Sequence, residues 1–159
     1  MDLIENRTVD EIAVGDRAEI ERVLTHPDIA MFATVSADVN PASLEEGEEE
    51  GPELTQGIVH GMWAGTMISA VLATRLPGPG TVHLGQTLKF HRPVNVGDRI
   101  TVRVEVTGID KGTAHVTLDC SCLNAEGETI VSGEAEVRAP RTKIRPRIAR
   151  MPVTHLKAP

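Results

Sequence analysis

Aromatic side chains are scarce here: 159 residues contain two phenylalanines, one tryptophan and no tyrosine. Modules that bind single strands by stacking bases on aromatic rings would have almost nothing to stack with. An excess of positive charge is missing too. Sixteen Lys and Arg stand against 23 Asp and Glu, a formal charge of −7, which argues against a nucleic-acid surface. No apolar run approaches the roughly 18 residues of a membrane span, and no N-terminal signal segment is seen, so the expectation is a cytosolic protein with no membrane partner. Cysteine is limited to Cys120 and Cys122. Two apart on an expected strand, they share a face without ordinary disulfide geometry and read as buried free thiols. No third or fourth ligand is patterned near them, so no metal site is expected. The length suits one domain that buries roughly two thirds of its unfolded surface.

What the chain does have is one stretch, Gly57 to Gly80, able to form a long buried helix. From Met62 to Leu76 there is no acid and no proline, and Met62, Trp63, Met67, Ile68, Val71 and Leu72 recur near helical spacing among small residues. Apolar almost all round, such a helix needs other elements over most of its surface. Pro77-Gly78-Pro79-Gly80 stops it. If it begins near His60-Gly61, its first free N–H groups offer a seat for a partly negative oxygen.

The rest can be arranged around that rod. Arg17 to Leu24 reads as a first strand, and Thr25 as the N-cap of a short helix, with Pro27 and Asp28 in its first turn and an end near Ser36. Asn40-Pro41 is a turn signal that keeps Asp38 in a loop. Leu44 to Glu53 holds six glutamates and should be solvated. Beyond the rod the period becomes two. The alternate apolar sets are Val82, Leu84, Leu88 and Phe90 on 81–91; Ile100, Val102, Val104 and Val106 on 99–107; Ala114 to Cys122 on 113–123; and Val131, Ala135 and Val137 on 128–138. Short joints make these antiparallel neighbours. The expected class is α+β, a strongly curved antiparallel sheet wrapped round one long helix, over residues 1–140. The basic, proline-containing tail 141–159 should be extended.

Three features could carry chemistry. Asp38 is a carboxylate in a tight loop, where such residues are usually turn-formers. The His60-Gly61 pair lies at the mouth of the rod, where glycine permits a ligand to approach the backbone N–H. Ser69, two turns in, is by itself best read as a serine bonded to its own backbone.

Together with their surroundings, these residues resemble a family. Phe32, Ser36 to Pro41, Ile58 to Met62 with Ser69, Leu76 to Gly80, Leu84 to Phe90, Arg92-Pro93-Val94 and Val96-Gly97-Asp98 are similar, in order and spacing, to the MaoC-like dehydratases, the (R)-specific enoyl-CoA hydratases. The likeness spans about residues 5 to 140 and is strongest to the hydratase portion of bifunctional enoyl-CoA hydratase/phosphate acyltransferase proteins. It implies a hotdog fold, an acyl-CoA thioester substrate, no separate cofactor (coenzyme A being part of the substrate), and a homodimer or higher homo-oligomer. It puts the catalytic carboxylate at Asp38, the oxyanion-binding N–H at Gly61 and the supporting serine at Ser69, with Asn40 and His60 also at substrate-contacting positions. The family's catalytic histidine falls on Ser43. Serine cannot act as acid or base near neutral pH, and losing such a group typically costs about 10²- to 10⁴-fold. The resemblance therefore implies an impaired hydratase. Alternatives are a non-catalytic acyl-CoA-binding or scaffolding module, or an acyl-CoA thioesterase. The glutamates of 45–53, if they face the entrance, would weaken binding of anionic CoA at low salt.

Overall fold

The computed structural model describes residues 4–38 and 61–144. Asn40, Ser43, His60, the glutamate-rich stretch and residues 145–159 lie outside them. In chain order come β1 (Arg17–Val23), α1 (His26–Ser36), α2 (Gly61–Thr74), β2 (Val82–Gln86), β3 (Lys89–Phe90), β4 (Arg99–Asp110), β5 (His115–Leu123) and β6 (Thr129–Arg138). One antiparallel sheet runs β1-β4-β5-β6-β2, with β3 also on β6. No described helix is long and apolar enough to cross a membrane.

The period-two strands behave as their sequence requires. Ile100, Val102, Val104 and Val106 of β4, with Val116, Leu118, Cys120 and Cys122 of β5, are all buried. The register sets Val104 opposite Cys120, and Val106 opposite Leu118. These side chains share one core with Trp63, Ala64, Met67, Ile68, Val71 and Leu72 of α2. Both thiols are free. Burial pushes Cys120 up to about 11 and Cys122 to about 12, since a thiolate there would lose its hydration.

The α1 boundaries are set by side chains. Thr25 accepts from the Asp28 amide, and the Asp28 carboxylate accepts from Thr25 N at 3.0 Å, a reciprocal capping box. Ala37 closes the helix in the left-handed region at φ 56°. The described part of α2 ends at Thr74, two residues before the expected Leu76. Leu72 O then accepts from Gly78 N at 2.9 Å, and Gly78 has φ +93°, where a side chain would be strained.

Two expectations need correction. The rod is covered on one side only among the described residues: Met62 is 56% exposed, and Thr66, Ser69 and Ala73 are exposed on the same side. Residues 81–91 are not one strand with an inward apolar face. Val82 and Leu84 are 42% and 44% exposed and Phe90 is 50%. The register shifts between His83 and Gly85, and the chain crosses β6 at Thr87-Leu88, so alternation is interrupted. There a Cβ on Gly133 would lie 1.9 Å from the Thr87 carbonyl oxygen; only glycine fits.

The two sheet edges differ. On β1, Arg17 bonds Glu105, Arg103 bonds Glu19 and Arg99 bonds Glu21. Each exposed pair is worth about 0–1 kcal/mol, but charge along an edge discourages pairing with another chain. β2 presents Val82 and Leu84 to solvent instead. At the termini, the fully buried Asn6 donates to Thr142 O and accepts from Ile144 N, both at 2.8 Å. Lys143 reaches Glu5 and Glu11. The chain is thus held in place as far as Ile144.

Candidate active site

Gly61 opens the described part of α2, and its surroundings come from β3, from residues 91–94 after it and from β6. Phe90 of β3 pairs with Val131 of β6, and alternation turns Phe90 toward α2. A Cβ on Gly61 would sit 2.9 Å from two Phe90 ring carbons, and one on Gly65 would sit 3.1 Å from Leu88 Cδ1. Glycine at these two positions, one turn apart, lets β3 and the residue before it lie against the helix. Beside this contact is a cavity of about 480 Å³ lined by Gly61, Met62, Phe90, Arg92, Val94 and Val131, with His91 and Pro93 completing the described wall. Most of that surface is hydrocarbon. Such a cleft suits a largely apolar ligand held by a few polar groups, here a backbone N–H at a helix start.

Asp38 follows the left-handed Ala37 and is exposed. Its amide donates to Ser36 Oγ at 3.2 Å, and Ser36 Oγ donates to Phe32 O at 2.7 Å. The backbone entering the loop is thereby tied to the last turn of α1, and Asp38 lies outside the helix as expected. Ser69 lies eight residues beyond Gly61, about 12 Å along the axis, on the exposed side of α2.

Two described histidines, His83 and His91, have side-chain partners on the sheet. His91 is part of the cavity wall, and its Nε2 meets Ser132 Oγ at 2.7 Å. His83 Nε2 meets Gln86 Oε1 at 3.1 Å on β2, and His83 is not among the described lining residues. No group of three or more His, Cys, Asp or Glu among the described residues could hold a metal ion.

Sequence reasoning did not single out Met62, Phe90, Arg92, Val94 or Val131 as lining residues. Met62, Phe90, Arg92 and Val94 lie in motifs that carry the resemblance, but the sequence pattern puts Phe90 on a regular strand. The signal available was the glycine pair Gly61 and Gly65, which leaves room for a bulky neighbour on one side of the rod.

Comparison with known proteins accords with this geometry. An (R)-specific enoyl-CoA hydratase of Rhodospirillum rubrum is 40% identical over 131 residues, 82% of this chain and 90% of the relative. An unliganded R-hydratase of Pseudomonas aeruginosa superposes with a TM-score of 0.92 at 37% identity, over 98% of this chain and all of that one. An (R)-hydratase of Aeromonas caviae gives a TM-score of 0.77 at 36% identity, over 81% of this chain and 98% of its own. The fold is therefore the hotdog fold, the sheet being the bun and α2 the sausage. The family model of the MaoC like domain matches residues 9–122, and the chain belongs to the MaoC-like dehydratase family.

Proposed function

We propose that this protein is an (R)-specific enoyl-CoA hydratase/3-hydroxyacyl-CoA dehydratase, slowed because Ser43 stands at the family's histidine position. The observation that carries the reading is the apolar cavity beside Gly61, on a chain 40% identical to an (R)-specific enoyl-CoA hydratase. In hydration, the thioester oxygen accepts from the Gly61 N–H. Asp38 takes a proton from water as its oxygen adds to C3 and the C2=C3 electrons move onto the carbonyl; the protonated Asp38 then gives that proton to C2 as the carbonyl re-forms, which returns the carboxylate. Charge on the thioester oxygen peaks between these steps, where a preorganised N–H contributes most. Asn40, His60 and Ser69 are the proposed substrate-contacting and supporting groups.

The Ser43 departure favours one alternative, an acyl-CoA-binding module without catalysis. Three measurements on the full chain separate the readings. Loss of enoyl absorbance from crotonyl-CoA, abolished by Asp38→Asn, supports the hydratase. Free-thiol release would indicate a thioesterase, and binding of butyryl-CoA with neither reaction would indicate the binding module.

The same reading includes a homodimer in the cytosol. Apolar Val82 and Leu84 on the β2 edge, against the ion-paired β1 edge, support pairing of two copies along β2. Two buried unpaired thiols suit a reducing compartment. Sedimentation that returned only monomer at micromolar concentration would remove the dimer from the proposal.

A further inference from the structure

We propose that the basic tail, residues 145–159, docks on the outer face of β5 and β6 as an intrachain cover held by carboxylates. Strand alternation builds that face. Leu118 and Cys120 turn inward on β5, so Asp119 between them points outward, as Glu134 and Glu136 do on either side of buried Ala135 on β6. The register sets Glu105 opposite Asp119, and Asp119 opposite Glu134. Like charges directly opposite each other destabilise a sheet. Glu105 is compensated by Arg17 at 2.8 Å, but among the described residues no ion pair reaches Asp119, Glu134 or Glu136. Asp119 also borders a groove of about 490 Å³ whose polar lining includes Arg103, Glu105, Ser121, Thr129 and Ser132. Arg103 is already bonded to Glu19 at 3.1 Å, so the uncompensated charge here is negative.

The tail has the complementary charge and a fixed point of departure. Residues 145–159 carry Arg145, Arg147, Arg150 and Lys157 and no acid, against 12 Lys and Arg and 23 Asp and Glu in residues 1–144. Ile144 is clamped: its amide donates to Asn6 Oδ1 at 2.8 Å, and its carbonyl accepts from Asn6 N at 3.2 Å. Its Cδ1 would lie 2.7 Å from a Cβ on Gly80, two residues before Val82, which pairs with Arg138. The tail therefore leaves from the Arg138 end of β6. From there Glu136 and Glu134 are about 7 and 13 Å along the strand, while the residues after Ile144 can span up to about 50 Å. Pro146 biases Arg145 toward extended backbone. In an extended chain Arg145 and Arg147 fall on one side about 7 Å apart, the spacing of Glu134 and Glu136. Each exposed pair is weak, but tethering raises the local concentration of the tail to roughly millimolar, so several weak pairs suffice.

The test is tryptic cleavage after Arg147 and Arg150 in the full chain at low salt, followed by mass spectrometry and referred to a free peptide of residues 145–159 under the same conditions. Cleavage follows the undocked fraction, so the tail should be cut about five-fold more slowly than the peptide. Asp119→Asn combined with Glu134→Gln should remove most of that protection, and so should salt at about 1 M, where charges are screened beyond roughly 3 Å. Glu126→Gln, which neutralises an exposed acid in the β5–β6 turn, should leave it intact. A tail cut as fast as the free peptide, or a folded Asp119→Asn/Glu134→Gln protein that kept its protection, would overturn the proposal. Protection that fell on dilution of the protein would put the tail on a second copy and overturn the intrachain docking.

Discussion

Replacing Gly133 by alanine tests how β3 is brought to α2. The new methyl would lie 1.9 Å from Thr87 O and 2.8 Å from Thr87 C, where real Cβ contacts are not found below 3.0 Å. The obstacle is backbone, so no rotamer change relieves it, and the oxygen must move by more than 1 Å. Three hydrogen bonds depend on that peptide staying in place: Thr87 N to Glu134 O, Glu134 N to Thr87 Oγ1, and Gln86 Nε2 to Thr87 O, each 2.9 Å. At about 0.5–1.5 kcal/mol apiece, their disruption amounts to roughly 2–4 kcal/mol. For a chain of this size that lowers Tm by roughly 5–15 °C. Leu88 and Phe90 follow directly, so the cavity beside Gly61 should change shape and acyl-thioester binding should weaken as well. Guanidinium unfolding at fixed protomer concentration measures the first effect and calorimetry the second. Gly108→Ala is the control, because its Cβ would meet only Thr117 side-chain atoms at 3.7 Å; it should cost under about 1 kcal/mol. If Gly133→Ala proved no more destabilising than Gly108→Ala, the crossing at Thr87 would not be the constraint described.

With the proposed histidine position at Ser43, Ser43→His should raise crotonyl-CoA hydration ten-fold or more; no gain in a folded variant would count against that assignment. Gly61→Ala sets a methyl 2.9 Å from the Phe90 ring, a half-exposed side chain able to yield. Its stability cost should be about 1–2 kcal/mol, with hydration falling at least ten-fold, and full activity in steady-state assays would contradict the proposed role of Gly61. Cys120 and Cys122, raised to about 11 and 12 by burial, should resist an aromatic disulfide reagent at pH 8 and both react once guanidinium unfolds the chain. Glu11 is held down to about 2, from 4.5, by the Thr8 amide first and by Lys143 next. A depressed carboxyl pKa stabilises the fold above its unfolded value. Any advantage over Glu11→Gln in thermal melts should be complete above pH 4.5 and vanish as pH falls through about 2.

Most of the architecture was legible because it rests on local chemistry. Thr25 with Asp28 marks the start of α1 through a capping box spanning three residues. The valines of β4 and the alternating apolar residues of β5 alternate without interruption in the centre of the sheet, so their period alone says which side is inward. The expected single strand over 81–91 fails because an edge strand has a neighbour on one side only, and the shift at His83/Gly85 together with the crossing over Gly133 breaks the period. Nothing local in that sequence records a peptide lying across a strand some 45 residues further on.

The order of residues by itself determined β1, β4, β5, β6 and the rod, that the two thiols are buried, and which family motifs are present. Each of these depends on periodicity or on contacts a few residues apart. Tertiary structure alone decided that Phe90 lies over Gly61, that Arg92 stands at the same cavity tied to Glu128, and that His91 meets Ser132. Those contacts join parts of the chain about 30 to 40 residues apart, and their geometry follows from strand register and from space that only glycine leaves open.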